Sequence, residues 1–440
     1  MKKYILFLIY STMLLLIACN YGEKREPIVI RPGHGVEMPE QNNILEDYSE
    51  IKKIEELTIW SFYEISEEIK ELIHKGISNS IINYRVISPF EATNVYSLAH
   101  SMGELPDVFI LDPILMGSFN STNAFIDLNT FNAESIINEY PENLKKALRS
   151  LDGKKLIALP VELFPAVTFY RYDAMKAAGF PADPEELAVY MENINNWLQM
   201  AKTFRENDKY MISWTYEPLF YADISSNVFD SNLNFMRNTN LFVNMLELGR
   251  TVDSLGLAHM VNLTDFNKES SIETGKTIMF QSTFSDIDTL KKLTNGKEDG
   301  KWRMTRLPFG IYSWANSAVA AISSEASNKE AAWTVVELLS NRHIEIIGEV
   351  MKPNDTNVYN DVLFGDQDID RLYRMLIERI PDYNLTPLDE KARTIWWSEV
   401  FKDSSNISVP AATLLNNCSQ TVLDQLDKDI EALKPYMKSK

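Results

Sequence analysis

An α/β fold divided into two lobes is what this chain predicts, on three observations. Residues 56–111 run strand, helix, strand, helix, strand. One of those strand segments, Asp107-Val108-Phe109-Ile110-Leu111, is apolar without interruption between Pro106 and Pro113, as expected of a parallel strand buried on both faces. The chain is 440 residues long, with 45% hydrophobic and 11% aromatic residues, which is more than one hydrophobic core usually holds and enough to fill two.

The elements justify themselves in chain order. Lys2 and Lys3 precede an apolar run from Tyr4 to Ala18 that is too short to span a bilayer stably, the pattern of a secretory signal over residues 1–18. The polar stretch 19–55 holds scattered prolines and no sustained period, and reads as a flexible tether. Glu56-Leu57-Thr58-Ile59-Trp60 is strand-like, and Ile65, Ile69, Leu72 and Ile73 follow at helical spacing up to Gly76. Ile81 to Ile87 returns to strand character. Lys155 to Leu163 and Ala166 to Tyr170 are further strand segments, and residues 173–179 form a short helix stopped by Gly179. Leu241, Met245, Leu248, Val252 and Leu255 mark an amphipathic helix. Ser327 and Glu330 form a capping box that opens a helix over 331–339. The last helix, 411–433, aligns Leu415, Cys418, Val422, Leu426, Ile430 and Leu433 on one face, which makes Cys418 a core thiol.

Charge and cysteine content exclude several classes of function. With 43 basic against 62 acidic residues the formal charge is −19, which opposes binding to phosphate backbones, so no nucleic acid partner is expected. Two cysteines and five scattered histidines supply neither a disulfide framework nor a metal site, and no cofactor is implied. No GxSxG, HExxH or P-loop motif is present.

The signal run ends in Leu16-Ile17-Ala18-Cys19, which resembles a bacterial lipobox, in which Cys19 would be lipidated and become the first residue of the mature chain. Glu56 to Trp60, Leu105 to Asp112, Phe125 to Leu128, Asp152 to Pro160, Phe169 to Asp173, Ala178 to Pro181, Gly275 to Phe280 and Ala318 to Leu339 together resemble, in this order, the motifs of extracellular solute-binding proteins of ABC importers, of the maltose-binding type. Arg171 departs from the usual Asn, and Trp314-Ala315-Asn316 from glycines often found before the last of these strands. The resemblance implies a periplasmic-binding-protein-like fold with discontinuous lobes: 56–165 plus 310–350, and 166–309 plus 351–440. A ligand cleft would lie at the hinge between them. It further implies a monomeric, lipid-anchored protein on the extracytoplasmic face of a bacterial membrane, which captures a solute, delivers it to permease subunits and catalyses nothing.

A sugar cleft needs aromatic faces for C–H groups and polar side chains for hydroxyls. Trp60 follows the first strand, where open α/β sheets place ligands, or is a core residue. Asp112 ends the buried strand and either accepts sugar hydroxyls or caps the Pro113 turn. Glu162 stands in the first crossing between lobes, as a ligand contact or a hinge ion-pair partner. Phe284 stands near a position where the resembled family often keeps a cleft aromatic. Trp214 and Tyr216 lie in a loop of the second lobe, and Tyr312 and Trp314 sit at the second crossing, near Pro308. Trp197, Trp302, Trp333, Trp396 and Trp397 read as core or helix-packing residues. Two other readings remain open here: a surface-anchored glycan-active enzyme with two catalytic carboxylates, and a ligand-sensing subunit of a membrane kinase.

Overall fold

The protein is described by a computed structural model covering residues 56–437 apart from 79, 261–270, 295, 316 and 352–360. The signal run, Cys19, the tether and Asn316 lie outside the described residues. β1 (Glu56–Ser61), β2 (Ile81–Val86), β3 (Val108–Leu111), β4 (Leu159–Glu162) and β8 (Ala318–Ile322) form a five-stranded sheet in the order β2-β1-β3-β8-β4. β1 pairs in parallel with β2 and β3, whereas β8 is antiparallel to both β3 and β4. The strand after Asp107 is therefore buried as its apolar run predicts, with one parallel and one antiparallel neighbour. Strands β1, β3 and β4 consequently end at the same edge of the sheet. Helices α1 (Glu67–Gly76) and α2 (Pro89–Met102) connect the parallel strands.

Asp107 fixes the opposite edge. Its carboxylate accepts from the amide and hydroxyl of Thr58 at 2.8 and 2.9 Å, and from the amide and hydroxyl of Ser327 at 2.9 and 3.1 Å. This corrects the expected capping box. Ser327 is spent on Asp107, and Asn328 caps the following helix, its side-chain oxygen accepting from Ala331 N–H at 3.0 Å. That helix runs over Lys329–Met351, well beyond the expected residue 339.

The second sheet has three strands, ordered β6-β5-β7 and all antiparallel: β5 (Ala166–Arg171), β6 (Met279–Thr283) and β7 (Trp302–Thr305). Alternation along β5 sends Phe169 to one face, stacked on Phe280 at 5.0 Å, and Tyr170 to the other. The core on the Phe169 face is continuous with that of the five-stranded sheet through Phe284, Phe364 and Tyr373. The Tyr170 face belongs to a separate core that includes Trp197, Trp396 and the Leu415, Cys418, Val422 and Leu426 stripe. Cys418 is 3% exposed, and burial pushes its thiol up to about 12. That stripe belongs to the last helix, Ala411–Met437.

Three stretches of chain run between the sheets: 163–165 joins β4 to β5, 306–317 joins β7 to β8, and 378–388 joins the helix Ile369–Ile377 to the helix Asp389–Asp403. The first two lie side by side. Ala166 N–H donates to Ser313 O at 2.9 Å, Ala315 N–H to Phe164 O at 3.2 Å, and Phe164 N–H to the Ser317 hydroxyl at 2.9 Å. The third is held from both sides: Asn143 donates to Ile380 O at 2.5 Å and Asn120 to Leu385 O at 2.9 Å, while Asn384 N–H donates to the Asn227 side chain at 2.6 Å. Gly117 exists for this third stretch, because a Cβ there would stand 2.7 Å from Thr386 O.

Candidate functional site

The shared edge of the five-stranded sheet carries three polar side chains. Tyr63 follows β1, Asp112 follows β3, and Glu162 ends β4. Asp112 accepts from Ile114 N–H at 3.0 Å, so it does cap the Pro113 turn. Burial pushes its carboxyl up to about 6, against the lowering effect of that amide and of Arg393. Burial likewise pushes Glu162 up to about 7, with Arg342 and a hydrogen bond from Tyr63 acting in the opposite sense. Both are half-buried acceptors on strand ends, with hydrogen-bonding capacity to spare.

Arg393 acts on Asp112 through its charge. It sits on α11 of the chain's helices that include α3 (Tyr172–Ala177), α4 (Pro184–Glu192), α5 (Ile194–Arg205), α6 (Glu217–Ile224), α7 (Asn240–Ser254), α8 (Ile287–Thr294), α9 (Lys329–Met351), α10 (Ile369–Ile377), α11 (Asp389–Asp403) and α12 (Ala411–Met437). Its guanidinium grips the buried Asp223 carboxylate with contacts of 3.0 and 2.6 Å, and Trp397, one turn further along α11, donates its indole N–H to the same oxygen at 2.9 Å. Arg237, fully buried, donates to the other Asp223 oxygen at 2.8 Å. Burial opposes ionisation of Asp223, but Arg393, Arg237 and the Trp397 donor outweigh it and hold its pKa below the ordinary value.

Aromatic rings surround this group. Trp397 is half-buried, stacks on Phe401 at 5.2 Å and has Trp214 at 6.4 Å; Trp214 in turn lies 6.1 Å from Phe220. Trp314 stacks on Tyr383 at 5.8 Å with an interplanar angle of 8°, joining two of the connecting stretches. Beside Trp214, Glu217 is buried, accepts from Ser213 N–H at 2.8 Å and is pushed up to about 7 by burial.

Of the residues expected in the site, the structure places Asp112 and Glu162 on one edge, Trp214 beside Trp397, and Trp314 on the stretch between the sheets. Tyr312, on the same stretch, accepts a hydrogen bond from Arg379 at 2.7 Å. Trp60 stands elsewhere, in the layer between sheet and α2, with Tyr96 at 5.9 Å, Phe109 at 6.5 Å and the Arg85 guanidinium 4.8 Å from its ring. Phe284 is 3% exposed and meets Tyr373 edge-on at 5.1 Å beneath the connecting stretches. Tyr216 is also buried, its ring against Gly249 and Phe401. Arg171 is engaged by Asp173 at 2.7 Å and Glu298 at 3.0 Å, so its charge is already matched. Asp223, Tyr383 and Arg393 escaped the sequence reading, and Trp397, read as a core or helix-packing residue, packs half-buried against the second core beside Arg393. The one signal for Trp397 was its adjacency to Trp396: neighbours on a helix point about 100° apart, so the two cannot be equally central to one core. Trp396 takes the core, at 0% exposure. Among the described residues no group of three or more His, Cys, Asp or Glu is arranged to hold a metal ion.

The model of a family described as bacterial extracellular solute-binding protein matches residues 82–342. Among solved structures, the galacto-N-biose/lacto-N-biose I-binding protein of a Bifidobacterium longum ABC transporter, in complex with lacto-N-biose, superposes with a TM-score of 0.69 at 14% identity, covering 87% of this chain and 99% of that one. The sugar-binding protein MalE of Xanthomonas citri gives 0.68 at 16% identity, covering 86% and 99%. The GacH receptor of Streptomyces glaucescens, studied unliganded and with acarbose, gives 0.66 at 13%, covering 86% and 99%. At these identities the likeness is one of fold. No curated protein sequence matches the chain.

Proposed function

Because the chain belongs to the bacterial extracellular solute-binding protein family, and is therefore a non-enzymatic binding protein of ABC importers, we propose that its solute is a sugar or oligosaccharide held between the two lobes. One observation carries this reading: the half-buried acceptors Asp112 and Glu162 stand at strand ends on one edge of the five-stranded sheet, the charge of Arg393 acts on Asp112, and Arg393 shares its Asp223 partner with the half-buried Trp397, which has Trp214 beside it. Carboxylates with spare lone pairs suit hydroxyl donors, and half-buried indole faces suit the C–H faces of a pyranose. The sugar ligands named for the solved relatives agree with this class. Solute contacts to both lobes would favour a closed arrangement over an open one, with residues 163–165, 306–317 and 378–388 as the hinge. With 378–388 as a third crossing, the boundary expected at 350 moves, and the proposed lobes are 56–165 plus 310–377 and 166–309 plus 389–440. In this reading Cys19 carries lipid, the tether 19–55 holds the body at the extracytoplasmic face of the membrane, and the closed form docks on the permease subunits as a monomer.

A thermal-shift screen tests the solute class, with mono- and oligosaccharides against amino acids, peptides and polyamines. A solute at a hundred times Kd stabilises the native state by about 2.7 kcal/mol, a shift of several degrees at most. A carbohydrate hit supports the reading, and a hit among the controls alone overturns it. The anchor is tested separately: Cys19→Ser should move the protein from the membrane fraction to the soluble one.

A further inference from the structure

The loop that closes α6 bonds directly to two of the connecting stretches and indirectly to the third. Ile224 O accepts from the Ser313 hydroxyl at 2.7 Å and from the Tyr383 hydroxyl at 2.7 Å. Ser313 O is also the acceptor for Ala166 N–H, which ties in the end of the first stretch. Asn227 accepts from Asn384 N–H at 2.6 Å and donates to Asp382 O at 3.2 Å. Residues 224–227 thus bond directly to two stretches and through Ser313 to the third.

The loop is itself held from behind. Arg237 donates to Asn227 O at 2.5 Å and to Asp223 O and Ser226 O at 3.2 Å each, in addition to the Asp223 carboxylate. A buried guanidinium satisfying the carbonyls at a helix C-terminus both caps that end and matches its partial negative charge. The same Asp223 carboxylate orients Trp397 and Arg393.

We infer that residues 223–227, clamped by Arg237, are the common anchor of the three connecting stretches, and that Asp223 couples this anchor to the Trp397 ring. Arg237 is a positioning residue: it touches no solute face and acts by holding the loop. A solute that shifts Trp397 would pull on Asp223 and so on all three stretches at once. Bistable coupling of this kind needs a rigid shared element, and a fully buried, multiply bonded arginine–aspartate pair supplies one.

Hydrogen exchange of the full chain, followed by mass spectrometry without any solute, tests the anchor independently of the solute class. Asn227→Ala removes bonds only to residues 382–384. The expected result is exchange about fivefold faster in peptides covering 163–168 and 311–317 as well as 380–388, the scale of one lost hydrogen bond. A rise confined to 380–388 would overturn the common anchor. Tyr383→Phe keeps the ring on Trp314 and removes the hydroxyl bonds to Ile224 and Ser313; it should give the same three-segment pattern, and serves if Asn227→Ala does not fold. Trp397→Phe tests the coupling: faster exchange in the three segments is expected, and unchanged exchange there would cut Asp223 out of the link.

Discussion

The two walls of the proposed site are built in opposite ways. On the five-stranded sheet, Asp112 and Glu162 stand at strand ends with no cation in direct contact among the described residues, and burial pushes both carboxyls up, to about 6 and about 7. On the helical wall, Asp223 is more deeply buried yet held low, because two arginines and an indole N–H converge on it. The difference shows that partner geometry, and not burial alone, decides whether a buried carboxylate is an available acceptor or a structural pin.

Breaking the pin should give the largest effect. Asp223→Ala leaves Arg237 and Arg393 buried without their counter-ion and should cost about 3–5 kcal/mol in denaturant-induced unfolding. Asp112→Asn, by contrast, removes an unpaired charge and should leave stability at pH 8 unchanged or raised. Equal losses in the two variants would erase the distinction between the walls.

Trp60 and Trp397 sharpen the comparison for aromatics. Trp60→Ala should cost about 3–5 kcal/mol because it empties a layer filled by Tyr96 and Phe109. Trp397→Phe keeps a ring but loses its N–H to Asp223, and should weaken solute affinity by more than it lowers the unfolding midpoint. Isothermal titration with the solute from the thermal-shift screen, beside urea unfolding, separates the two outcomes.

Gly117→Ala comes next, at about 1–3 kcal/mol, the usual scale of overpacking, because its Cβ would collide with the Thr386 carbonyl. A neutral result would mean that the 378–388 stretch yields freely.

The smallest expected effect is on pH dependence. Asp112, Glu162 and Glu217 have raised native values, so between the ordinary carboxylate range and about 6–7 the folded chain holds more protons than the unfolded one. Their contribution to stability therefore falls as pH rises through that window, and the loss is complete above about 7. Asp223 has the opposite sign, but its window lies below the ordinary value, so it adds no slope near neutrality. Melting temperatures of wild type and Asp112→Asn, compared from pH 4 to 8, should diverge in favour of the variant as pH rises to about 6 and run parallel beyond. A constant difference would mean that Asp112 titrates as an exposed carboxylate.

Legibility in the sequence followed the same division. Asp112 could be singled out because it ends an apolar run, and a strand's end fixes where its last side chain stands; Glu162 could be singled out as the lone charge in an apolar crossing segment. Trp214 was legible as an aromatic in a loop between elements. Asp223, Arg393 and Trp397 were not, since a polar or aromatic residue on a helix reads identically whether its face meets a core, solvent or a cleft. Trp60 shows the converse. Its position after a strand suggested the site, but the pairing of β1 with β3 put it in register with Phe109 and under α2. The 378–388 stretch has no hydrophobic period, and its path depends on contacts from Asn120, Asn143 and Asn227, residues far away in sequence.

By itself the sequence determined β1 to β5 with several of the helices and, through motifs spread along the chain, the family. Those features rest on hydrophobic period and on short-range turn and cap chemistry, which neighbouring residues dictate. Only the tertiary structure decided which carboxylates are paired, which tryptophan of the Trp396-Trp397 pair meets the core, and how three separate stretches converge on one loop. Those outcomes depend on groups tens to hundreds of residues apart, whose distances a linear chain does not specify until it has folded.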